Sequence, residues 1–207
     1  MDEASELIQQ RVRKLEELRK KGIDPFPNNF RVTHTSKEIQ ERFSSKSDEE
    51  LKSVKETFLL AGRIIAIRDF GKASFIQIQD RTGRIQAYLQ RDAVGDQAFQ
   101  LFKTFDIGDF VGLEGKVFRT KTGELTLQVQ SFQLLVKSLR PLPEKWHGLT
   151  DIEIRYRHRY LDLIANPKVK ETFLTRIHAI QRIRDFFNQR DFLEVETPML
   201  HPCLLYT

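Results

Sequence analysis

The side chains that could do chemistry gather in one stretch of the sequence. In Ala73–Gln79 the residues alternate, so Phe75, Gln77 and Gln79 share the face turned away from Ile76 and Ile78. In Arg84–Gln90, Gln86 and Tyr88 stand opposite Ile85, Ala87 and Leu89 in the same way. An outward phenylalanine among amides is expensive decoration, since burying it is worth up to about 3 kcal/mol. Such a ring can instead stack on an unpaired nucleic-acid base for about 1–3 kcal/mol, while amides and carboxylates read base edges. The alternative is that Phe75 packs beneath neighbouring helices. Arg68 and Glu124, at the ends of adjoining apolar runs, would add a cation and an acceptor at the rims of that face. A carboxylate repels phosphate, so Glu124 belongs there only if it accepts from a base N–H.

Elsewhere the chemistry is sparse. Arg13 and Lys14 sit in a basic cluster with Arg11, Arg19, Lys20 and Lys21. They are candidate phosphate contacts, or else a solvated helix face whose cations favour the helix C-terminus. The five histidines, His34, His147, His158, His178 and His201, have no metal-like spacing. Glu194 and Glu196 share a face of a short alternating segment, more simply a solvated edge than a cation site. Gly108, Gly112 and Gly115 fit neither a Walker loop nor a dinucleotide fingerprint. No nucleophile stands beside a base. The sequence offers a binding face and no active site.

These residues need elements to hold them. Glu3–Lys21 carries Ile8, Val12, Leu15 and Leu18 on one stripe, with Gly22 as its C-cap and Pro25 and Pro27 beyond, which predicts a helix. Thr35–Glu38 and Ser47–Glu50 are capping-box patterns opening two short helices. From Thr57 the period shortens to two. Strands are expected over 58–68, 73–79, 84–90, 110–119 and 124–136, with a helix over 96–105 and a hairpin turn at Asp80–Gly83. Five strands with one helix between the third and fourth is the order of an OB-fold barrel, which binds oligonucleotides on the face of strands two and three. Its expected core is Ile76, Ile78, Ile85, Ala87, Leu89, Val111, Leu113, Val117, Leu125, Leu127 and Val129. A helix over 152–163, a long helix over 168–189 and a strand over 192–196 follow. The expected organisation is a helical segment (1–56), the barrel (57–137), a proline-stiffened linker (138–150) and a further unit (151–207).

Composition bounds the reading. The chain has 207 residues, 40% apolar and 30% charged, a globular balance. Net charge +5 allows a polyanionic partner. A single cysteine, Cys203, gives neither an internal disulfide nor a thiolate metal site by itself. No run approaches a membrane span and the N-terminus lacks a secretory core, so the expected compartment is the cytoplasm, with no membrane partner.

The stretches "KKGIDPFPNNF", "GKASFIQIQD", "RTGRIQAYLQ", "KTGELTL" and "LRPLPEKWHGLTDIEIRYRHRYLDLI" carry a family likeness. The chain resembles the N-terminal portion of a bacterial-type class II lysyl-tRNA synthetase, up to about Leu200. Aspartyl and asparaginyl enzymes share the "RYLDL" block, so the lysyl likeness rests on the first helix with its "PFP" turn, "GKASF" and "RPLPEKWHGL".

The resemblance implies a mainly β fold: an OB-fold anticodon-binding barrel after N-terminal helices, then the opening helix and strand of an α+β catalytic domain. It implies lysine tRNA as partner, with Phe75 stacking on the central anticodon base and Arg68, Gln86 and Glu124 around it. Residues 168–200 resemble motif 1, which implies a homodimer contact through Phe173, Ile177, Ile180 and the motif proline, Pro198. ATP and magnesium are implied for the full-length enzyme. Motifs 2 and 3, whose arginines hold ATP, are not in this chain, and "HPCLLYT" departs from the family. The expectation is therefore a truncated ligase that binds no cofactor and does not catalyse, with a stand-alone tRNA-binding module as the alternative.

Overall fold

The computed structural model describes residues 3–143, 149 and 151–199. The chain divides into two compact units, Met1–Leu142 and Pro143–Thr207. In the first, α1 (Glu3–Lys20) buries Leu15 and Leu18. It stops in a turn that needs a left-handed residue: Gly22 sits at φ +73, Ile23 N–H donates to the Leu18 carbonyl and Gly22 N–H to that of Arg19. Both expected capping boxes form, Thr35 with Glu38 at α2 (Ser36–Phe43) and Ser47 with Glu50 at α3 (Asp48–Ser53). The Asp80 carboxylate closes its own turn by accepting from Thr82 and Gly83 N–H, and also accepts from Ser36, which fastens the start of α2 to the hairpin.

The strands β1 (Phe58–Asp69), β2 (Ala73–Gln79), β3 (Arg84–Gln90), β4 (Phe110–Arg119) and β5 (Leu125–Val136) close into a barrel in the order β1-β2-β3-β5-β4. β3 and β5 pair in parallel, and the other pairs are antiparallel. A bulge between Ile64 and Ala66 shifts the β1–β2 register within the long first strand, whose other stretch pairs with β4. The expected core is buried throughout except for Leu125, which packs half-exposed at the margin. Two glycines are sites of close approach. A Cβ on Gly115 would lie 2.1 Å from the Gln128 carbonyl oxygen, and one on Gly112 would meet the Phe30 ring at 2.6 Å. Between β3 and β4 the expected single helix is two short ones, α4 (Arg91–Val94) and α5 (Asp96–Phe102), separated by Gly95 at φ +89. Phe99 and Phe102 of α5 are buried in the barrel core with Phe105.

The second unit holds α6 (Ile152–Arg157), α7 (Arg159–Ala165) and α8 (Pro167–Asn188). The expected helix over 152–163 breaks at His158, whose φ −115, ψ 53 is not helical. The buried Asp162 carboxylate organises the break, accepting from Arg155 Nε at 2.9 Å, from Arg159 and from Asn166 Nδ2 at 2.6 Å. The expected strand over 192–196 is not one. Asp191 takes φ +62, Phe192 N–H donates to the Phe187 carbonyl and Asp191 N–H to that of Asn188, closing α8 with the turn glycine makes after α1. Phe192 then packs on Phe187, ring centroids 5.4 Å apart, while Glu194 pairs with Arg184. Extended residues without a ladder partner do not make a strand. The divergent ending, 201–207, and part of the expected linker, 144–148 and 150, lie outside the described residues.

A polar clamp ties α1 to the barrel. Lys137, at the end of β5 and with no side-chain exposure, bonds Asp106 and Asp109, and Lys14 of α1 reaches the other Asp106 oxygen at 2.6 Å. Arg11 adds a bond to the Ile107 carbonyl at 3.0 Å. Burial alone would raise the Asp106 carboxyl, but hydrogen bonds from Lys137 and Lys14 and their charges outweigh it, holding it below the ordinary aspartate value. A carboxylate depressed in the folded state stabilises the fold above its unfolded value, near about 3.9, and that stability is lost as pH falls through the folded value. In urea unfolding from pH 7 to pH 3, Asp106→Asn is expected to start below the parent by on the order of 1.5–3 kcal/mol. The two should converge as the parent loses this contribution below about pH 4. Parallel acid limbs would show that Asp106 is not linked to folding in this way.

Candidate nucleic-acid interface

Register decides what the outward face of the barrel presents. Arg68 of β1 lies opposite Phe75 of β2, and Phe75 lies opposite Tyr88 of β3. Cross-strand neighbours at this spacing touch. The Phe75 and Tyr88 rings are tilted against each other with centroids 4.7 Å apart. Phe70 meets Phe75 edge-on at 6.0 Å, and Phe118 of β4 meets Tyr88 at 6.0 Å. The result is an aromatic row over several strands, lining a cleft of about 500 Å³. Arg68, Phe75, Gln86 and Glu124, singled out from the sequence, all line it. Phe75 is half-buried and finds its ring neighbours on the barrel's own Phe70 and Tyr88, not beneath the helices.

The polar edge is fixed by strand pairing. Gln86 lies opposite Thr126 in the parallel β3–β5 ladder, and its Nε2 donates to Thr126 Oγ1 at 3.0 Å. Thr126 Oγ1 donates in turn to the Glu124 carbonyl at 3.1 Å. The turn before β5 is held by Thr120, whose N–H donates to the same carbonyl at 3.0 Å and whose hydroxyl accepts from Glu124 N–H at 3.1 Å. That leaves the Glu124 side chain exposed at the cleft margin, with Lys121 on the same turn.

The face is not uniform. Gln77, opposite Gln86, lines a second cleft of about 630 Å³ with Gln40 and Arg84, beside α2. Gln79 accepts from Arg84 Nε at 2.9 Å. Only the Phe75 end of β2 is therefore an aromatic groove. Of the two candidate phosphate contacts, Arg13 is exposed, whereas Lys14 is paired with Asp106. The structure thus argues against Lys14 as a free phosphate contact. Ile177 and Ile180, on the apolar stripe of α8, are exposed at 57% and 39%. Phe173 is half-exposed under Arg159, and Pro198 lies exposed in the extended segment.

The sequence reading passed over Phe70, Phe118 and Lys121. Phe118 alternates with the buried Val117, so the period-two rule places it outward. Phe70 lies two residues beyond Arg68, just past the end of β1. Neither signal says which strands closure will bring together, and that needs the β3–β5 pairing.

Residues 58–135 match the family described as the OB-fold nucleic acid binding domain. Residues 151–204 match the class II tRNA synthetases of the D, K and N group. Over 200 residues the chain is 52% identical to the lysine–tRNA ligase of Carboxydothermus hydrogenoformans, covering 97% of this chain and 40% of that protein. It is 50% identical over 202 residues to that of Moorella thermoacetica, covering 98% and 40%, and 49% identical over 196 residues to that of Anaeromyxobacter dehalogenans, covering 95% and 38%. The chain thus spans about two-fifths of the length of the curated relatives it matches. The closed barrel at 58–135 is an OB-fold nucleic acid binding domain, followed by class II synthetase sequence.

Proposed function

We propose that the aromatic groove reads the anticodon of a lysine tRNA, with the central base stacked on Phe75. One observation carries the reading: Arg68, Phe75, Gln86 and Glu124, distant in sequence, converge on one cleft of a nucleic acid binding barrel. Phe75 and Tyr88 offer a pre-assembled ring surface, so a base stacks without first ordering side chains. Gln86 and Glu124 face the base edge, and Arg68 with Lys121 supplies cations for the backbone on either side. The similarity to lysine–tRNA ligases supports lysine tRNA as the substrate and a role within the ATP-dependent attachment of lysine to it. Among the described residues no group of three or more His, Cys, Asp or Glu could hold a metal ion, and the reading runs through neither magnesium nor ATP.

The α8 face supports a second part of the same reading. Ile177, Ile180, Ile183 and Phe187 leave an apolar stripe exposed, of the kind a second copy covers. The proposal assigns Phe173, Ile177, Ile180 and Pro198 to a homodimer contact and the protein to the cytoplasm. No helix among the described residues is long and apolar enough to cross a membrane.

Phe75→Ala is expected to weaken binding to a lysine anticodon stem-loop by about 1–3 kcal/mol in fluorescence anisotropy. Unchanged affinity would remove the stacking assignment. Arg13→Ala should lower affinity equally for all loop sequences and reduce the salt slope by about one phosphate contact. A shift in anticodon preference instead would show that Arg13 does not act through phosphate.

A further inference from the structure

We infer that Thr126 is a positioning residue that sets which end of the Gln86 amide the groove offers to a base, and so separates uracil from cytosine; this rests on the base-stacking reading above. Thr126 is fully buried in the barrel wall yet polar. Its single hydroxyl proton can go to the Glu124 carbonyl or to an acceptor on Gln86. Donated to the Glu124 carbonyl, 3.1 Å away, it leaves the hydroxyl oxygen free to accept. That oxygen accepts from Gln86 Nε2 at 3.0 Å, two bonds in all, whereas an amide presenting Oε1 would draw the proton to itself and leave one, the Glu124 carbonyl keeping Thr120 N–H. What remains for a ligand is Oε1 as acceptor and the second N–H as donor.

That polarity has a chemical meaning. The pairing edge of uracil has an N–H at its centre between two carbonyls, while cytosine has an acceptor nitrogen at the centre beside an amino group. An amide that accepts at the centre and donates at the margin complements uracil, and the reversed amide complements cytosine. A glutamine free to turn over would serve both. The groove's choice between pyrimidines therefore depends on a hydroxyl that touches no base. The same hydroxyl also bonds the Glu124 carbonyl, which Thr120 N–H holds as well.

Thr126→Val keeps the side-chain shape and removes both hydrogen bonds. The full chain is titrated with two stem-loops that differ only in uridine or cytidine at the central anticodon position. Thr126→Val is expected to shrink the uridine-over-cytidine affinity ratio by about tenfold, within the discrimination one bidentate contact supplies. Thr126→Ser should keep the parent ratio. In a Gln86→Met background, Thr126→Val should not change the ratio further, because Thr126 acts through Gln86. An unchanged ratio in Thr126→Val, or a further fall in the Gln86→Met background, overturns the inference. Phe75→Ala in the same assay separates the failures. If it leaves binding intact, the stacking reading falls. If it weakens binding while Thr126→Val holds the ratio, the Thr126 inference falls alone. Hydrogen exchange on the unmutated protein tests the geometry even if the valine variant does not fold. One Gln86 Nε2 proton should be protected and the other not, and equal exchange overturns the assignment.

Discussion

The parallel pairing of β3 with β5 is the contact on which the rest of the molecule depends. It has only three registered pairs, Gln86 with Thr126, Ala87 with Leu127 and Tyr88 with Gln128. Without it the strands form an open sheet with two unpaired edges, exposed to pairing with other chains. With it, one side chain in each strand position points into a common interior, and Ala87, Leu127 and Val129 are sealed completely. The pairing also needs a tight approach elsewhere. β4 and β5 shift register between Glu114 and Gly115, and Gly115 has no room for a Cβ against Gln128. The missing side chain in β4 thus serves the strand that closes the barrel.

Closure makes the groove as well as the core. Phe75 and Tyr88 would be neighbours in any β2–β3 hairpin, but Phe118 and Glu124 reach them only because β5 returns beside β3 and carries β4 with it. The Lys137–Asp106–Asp109 clamp acts at the end of β5, where Ser138 N–H also donates to Asp109. A buried ion pair of this kind is a poor source of net stability, because desolvation offsets much of its attraction. Its value here is positional: three elements, α1, the turn before β4 and the end of β5, share one set of charges and cannot slide independently.

Much of this was legible in the chain because strand periodicity is a local signal. The core positions and the outward set Phe75, Gln86 and Tyr88 follow from alternation alone, and the capping boxes and Gly22 mark helix ends within four residues. What was not legible depends on residues far apart in sequence. Lys14 looks like a free cation until Asp106, 92 residues away, is folded against it. Gln77 looks equivalent to Phe75 until α2 is placed beside it. The segment after α8 alternates like a strand, but Phe192 is held by Phe187 and the left-handed Asp191, a position that composition alone would assign to glycine.

On the proposed reading, the groove would divide affinity from selectivity along the line between its exposed and buried groups. Arg68 and Lys121 would act in water, where a Debye length of about 8–10 Å limits them to general attraction. The aromatic row would add stacking, which every base satisfies because each has a π-face. Neither can tell one pyrimidine from another. Discrimination requires donors and acceptors whose orientation costs free energy to reverse, and an exposed amide can turn over at little cost. A buried hydroxyl between two partners biases that freedom, because reversing Gln86 would draw the Thr126 proton away from the Glu124 carbonyl and leave one hydrogen bond where there were two. The hydrogen bond that closes β3 against β5 at the side-chain level is therefore also the one to which the inferred preference is traced.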